Sequence, residues 1–156
     1  MKYAHNVYWA KNPIQDTINA GLEALEFDLQ YRMFSKDIYC GHSWRPLNCM
    51  YYGLLDDYLR EIILTPGIKY LILEPKTFTI NMGILAGTIK WFKYNRPDII
   101  IVMSVQYKKH PHQWLRGLWL KRFFRLYKEE LGILDKRLET DLHEQVDLYE
   151  KKWYHF

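Results

Sequence analysis

The chain has 156 residues, 49% of them hydrophobic and 26% charged, a composition that folds around a core and excludes a disordered chain. A formal net charge of +4 is too small to argue for nucleic acid by itself, and two cysteines are too few for a disulfide framework. No apolar run reaches the ~18 residues of a membrane span and the N-terminus lacks the order of a secretory signal, so one soluble, cytoplasmic domain over 1–156 is expected.

A short strand is expected over 2–5, followed by the Asn12-Pro13 pair and a helix over 14–22 with Ile14, Ile18 and Leu22 four apart on one face. Residues 24–30 alternate cleanly as a strand, 32–36 read as a polar turn, and 37–42 as a second short extended run. A loop over 45–53 leads to a helix over 54–64, which Thr65-Pro66-Gly67 ends. Residues 68–73 are a continuous apolar run of the buried parallel type, 78–94 fit a helix, and 99–105 form another apolar run.

Beyond Gln106 the pattern changes, and 112–128 and 133–154 both read as helices, a helical C-terminal extension over 112–154. Five strands with intervening helices point to an α/β fold with parallel (β/α) connections, arranged like a TIM barrel but truncated, since a full barrel takes about 250 residues. Charge is uneven: residues 108–128 hold seven Lys or Arg and no acid, whereas 129–150 hold eight acids and two bases.

Polar residues gather at the ends of the strand-like segments: His5-Asn6, Glu26-Phe27-Asp28, Gly41-His42 and Glu74-Pro75-Lys76. A strand alternates its faces, so Glu26 and Asp28 project together, as do Glu74 and Lys76, while Leu25, Phe27, Leu71 and Leu73 point the other way. Two acids on one face of an apolar strand repel each other unless a cation or a base lies between them. Oxygen ligands from Glu26, Asp28 and Glu74, with the Asn6 carbonyl oxygen as an addition, suit Mg²⁺ or Ca²⁺; Lys76 is the alternative partner, in a purely structural ion pair.

This ordered set resembles the phospholipase C-like phosphodiesterases, most closely the glycerophosphodiester phosphodiesterase branch, over roughly the first half of the chain. The resemblance implies catalytic histidines at His5 and His42, metal ligands at Glu26, Asp28 and Glu74, and a phosphate contact at Lys76. It also implies an eight-stranded barrel and attack by a neighbouring substrate hydroxyl, without a protein nucleophile. The chain departs from the family at Asn6-Val7, where Arg-Gly is usual, and at Ser43, where Asp is usual; His5-Asn6 looks more like the start of phosphoinositide-specific phospholipases.

The expected activity is therefore divalent-metal-dependent hydrolysis of a glycerophosphodiester or related phospholipid headgroup ester, with His5 and His42 sharing acid and base duties. A headgroup-binding module without turnover is the alternative. Trp44 and Arg45 are candidates for the pocket wall, while His110 and His112 read as a solvated turn. Residues 113–128 interleave aromatic, aliphatic and basic side chains, which fits a helix against an anionic membrane surface, a helix covering the sheet, or the interface of a homodimer. Nucleic acid is disfavoured, because the basic block is short and an acidic one follows it.

Overall fold

The computed structural model describes residues 1–5, 7, 10–32, 36–41, 53–104 and 111–148, the side chains of 111–113 excepted. In chain order the elements are β1 (Lys2–His5), α1 (Pro13–Asn19), β2 (Ala24–Arg32), β3 (Asp37–Cys40), β4 (Gly53–Leu54), α2 (Leu55–Leu64) and β5 (Tyr70–Pro75). They continue with α3 (Met82–Asn95), β6 (Ile100–Met103), α4 (Pro111–Leu131), β7 (Leu134–Asp135), α5 (Lys136–Glu139) and β8 (Glu144–Asp147).

All eight strands join one mostly parallel sheet. Its centre is β2, parallel to β5 from Ala24↔Tyr70 to Leu29↔Pro75, and β5 is in turn parallel to β6, and β6 to β7. On the other side of β2, β1 pairs with its start at Ala4↔Leu25, while β3 pairs antiparallel with its end. The last strand, β8, returns to lie parallel against β1, the first.

The two faces of this sheet differ in content, as strand alternation requires. Leu25, Phe27 and Leu29 of β2 and Leu71 and Leu73 of β5 belong to the large core, with Leu59 and Ile62 of α2, Ile89 and Phe92 of α3, and Trp119 and Phe123 of α4. Tyr3, Ala24, Ile72, Val102 and Leu142 form a second, smaller cluster from the alternate positions. The charged residues at the strand ends continue the alternate set, on the face that the large core does not use.

Local chemistry explains where the elements stop. The Asn81 side chain accepts a hydrogen bond from the Ile84 amide and caps α3, so that helix begins at Met82 and not at Phe78 as the apolar content suggests. Gly67, at φ +111, turns the chain after α2 in a conformation that side chains disfavour. The Arg96 guanidinium then donates to the Ile62 and Thr65 carbonyls at the end of α2 and pairs with Asp98, tying α2 to the loop after α3.

Three further expectations need correction. Among the described residues the sheet has eight strands, not five, and β3 runs antiparallel, as a hairpin partner of β2 and not a member of the parallel series. The segment 133–154, read as a helix, supplies β7, the one-turn α5 and β8 in its described part, 133–148; among the described residues of the expected extension only 112–131 is a long helix. β7 is two residues long and β8, Glu-Gln-Val-Asp, is largely exposed, so neither carries the apolar run by which a buried strand is recognised.

Candidate active site

Register places the acidic groups together. Asp28 of β2 lies directly opposite Glu74 of β5, and Glu26 is two residues earlier on the same face as Asp28. Glu26, Asp28 and Glu74 are buried, at 2%, 1% and 1% exposure, and each offers an oxygen within 4.8 Å of those of the other two. Oxygen donors converging from adjacent strands at this spacing form a cage of the kind that could hold a metal ion.

The electrostatics point the same way. Burial first, then the charges of Glu74 and Asp28, push the Glu26 carboxyl well above the ordinary glutamate range; Lys136 opposes this, and a hydrogen bond with Glu74 reinforces it. Positive charge added inside the cage would relieve that repulsion. Glu26, Asp28 and Glu74 could therefore hold a metal ion between them.

Basic side chains surround the cage. Lys76 Nζ lies 3.1 Å from Glu74 Oε1 and 4.0 Å from Asp28 Oδ1. Burial alone would lower the Lys76 ammonium, but Asp28 and Glu74 outweigh it and hold the group above its ordinary value. Lys136, at the start of α5, is 3.5 Å from Glu26 Oε2 and donates to the Tyr3 hydroxyl at 2.7 Å, with its ammonium over the Tyr3 ring. From α4, the buried Arg116 guanidinium donates to the Pro75 carbonyl at 3.4 Å and feels the charges of Glu74 and Asp28.

His5 sits where β1 ends, beside the acids. Its Nε2 is 3.6 Å from Glu26 Oε1, and its Nδ1 is 2.7 Å from Asp147 Oδ1, on the residue paired with it across β1 and β8. With Nδ1 turned to the Asp147 carboxylate, Nε2 is left facing the Glu26 carboxyl. An imidazole held through one nitrogen with the other aimed at a charged cluster is equipped for proton transfer.

Of the residues singled out in the sequence, His5, Glu26, Asp28, Glu74 and Lys76 thus come together at one place. His42, Asn6, Trp44 and Arg45 lie outside the described residues, as do Cys49, His110 and the His112 side chain. Tyr3, Arg116, Lys136 and Asp147 were not anticipated. Arg116 did leave a signal, for it falls on the buried stripe with Leu120 and Phe123 at helical spacing, where a solvated cation has no place. Lys136 and Asp147 left none, because both belong to the stretch misread as helix. Cys40 is buried in the large core, and burial pushes its thiol well up, which leaves it inert.

Compared with known proteins, the sequence matches no protein-family model and no curated protein. Among the described residues, no helix is long and apolar enough to cross a membrane.

Proposed function

We propose that this chain is a divalent-cation-dependent phosphodiesterase of the phospholipase C-like type, acting on a glycerophosphodiester or a related phospholipid headgroup ester. The observation that carries this reading is the convergence of three buried carboxylates from neighbouring strands, with an imidazole beside Glu26 and lysines beside all three. A phosphodiester is anionic and repels nucleophiles, so its hydrolysis needs its charge neutralised and two protons managed. A bound Mg²⁺ or Ca²⁺ would supply Lewis acidity and charge neutralisation at Glu26, Asp28 and Glu74.

The chain's own residues do the rest. Lys76 contacts a phosphate oxygen as a point charge, and Arg116 adds positive potential from the α4 side. His5 accepts or returns a proton at Nε2 while Asp147 holds the ring, and His42, by the resemblance, takes the complementary duty. In architecture the sheet reads as a shortened relative of the TIM-like barrel, supported by β8 returning to β1 and by the parallel run β2, β5, β6, β7.

The competing reading, a headgroup-binding module without turnover, draws on Lys76 and Lys136, which already pair with the acids as structural ion pairs would. Phosphorus NMR of glycerophosphodiesters and of bis(p-nitrophenyl) phosphate, with added Mg²⁺ or Ca²⁺ and with chelator, separates the two. Metal-dependent product formation that His5→Ala abolishes supports the enzyme. Headgroup binding without product, unaffected by chelator, supports the module.

A further inference from the structure

We infer that the exposed face of α4 docks on an anionic phospholipid surface; the choice of occupant rests on the phosphodiesterase reading above. One side of α4, through Trp119, Leu120 and Phe123, is buried in the large core. The other side exposes Trp114 at 65%, Leu118 at 44% and Leu126 at 49%. Lys121, Arg122 and Arg125 are exposed on that same side and lie between the apolar groups, and the helix holds no acid before Glu129.

The arrangement matches an interface between water and lipid. Indole and leucine side chains enter the boundary layer while basic ones meet the phosphates. It does not match a second copy of the chain. A two-fold contact through this face would bring together two copies of a surface that holds Lys121, Arg122 and Arg125 and no acid before Glu129, and like charges in apposition oppose association.

The test uses the full chain with vesicles of phosphatidylcholine, with and without phosphatidylserine, in sedimentation and tryptophan-emission measurements. Binding is expected only with phosphatidylserine present, weakening roughly fivefold for each basic residue removed. It should fall in high salt and be lost in Leu118→Glu and Arg122→Glu, both of which keep full turnover of soluble bis(p-nitrophenyl) phosphate. Failure to sediment with anionic vesicles overturns the inference, as does binding that survives both substitutions. A concentration-dependent dimer dispersed by Leu118→Glu, without vesicle binding, assigns the face to a second copy and also overturns it. Vesicle binding with no hydrolysis of any diester refutes the phosphodiesterase reading and leaves the docking standing.

Discussion

Glu26→Gln should make the metal-free protein more stable while removing its response to metal. At a separation of at most 4.8 Å, each repulsion between Glu26 and its two acidic neighbours is worth about 3.5 kcal/mol at an effective dielectric of 20. The attraction to Lys136 at 3.5 Å is worth about 4.7 kcal/mol on the same scale. The two repulsions exceed it by about 2 kcal/mol before the Lys76 ammonium, which also feels Glu26, is counted, and the cost of burying the charge adds to the balance. The sign can be followed in pH. The Glu26 carboxyl titrates above its ordinary 4.5 in the folded state, so its contribution is intact at low pH and is lost as pH rises from 4.5 through the folded value. Urea unfolding in chelator between acid and neutral pH should show wild-type stability falling by up to about 1.4 kcal/mol per pH unit on this account, a slope that Glu26→Gln lacks. Added Mg²⁺ or Ca²⁺ should restore the wild type and leave the variant unchanged. Were Glu26 instead the anchor of a structural pair with Lys136, the variant would be the less stable protein at neutral pH, and the reasoning would be refuted.

Other perturbations have equally definite outcomes. Saturating divalent ion at about 100 times its dissociation constant should stabilise the wild type by about 2.7 kcal/mol in thermal unfolding, and Asp28→Asn or Glu74→Gln should remove the effect. Lys76→Met leaves the buried Glu74 and Asp28 short of a cation and should cost about 3 kcal/mol in chelator, most of it recovered on adding metal. His5→Ala should lower kcat for bis(p-nitrophenyl) phosphate by about 10²- to 10⁴-fold in steady-state assays, with urea stability nearly unchanged. Phe123→Ala, at a fully buried ring stacked on Trp119, should cost about 3–5 kcal/mol by urea unfolding.

Strong periodicity made most of the fold legible. Residues 24–30 alternate and 68–73 are apolar but for Lys69, and both became central strands because each is covered on both faces. The acid pair on β2 stood out because a buried apolar strand tolerates two carboxylates only with compensation nearby. What escaped was the edge of the sheet. β7 and β8 hold their places through backbone hydrogen bonds to β6 and β1, and a sequence pattern does not register that kind of pairing. Lys136 and Asp147 reach the site only because those strands do. The register Asp28↔Glu74, which brings the acids within reach of one ion, belongs to tertiary pairing between segments 46 residues apart, and strand alternation alone does not determine it.

The central claim is that Glu26, Asp28 and Glu74 hold a cation where a phosphodiester is cleaved. Anomalous diffraction from crystals soaked with Mn²⁺ and glycerol phosphate tests it most directly. The account predicts one anomalous peak bonded to all three carboxylates, with the phosphate between that ion, Lys76 and His5. A peak bonded elsewhere, or a cage in which Lys76 and Lys136 keep their present carboxylate contacts and no ion enters, would contradict it.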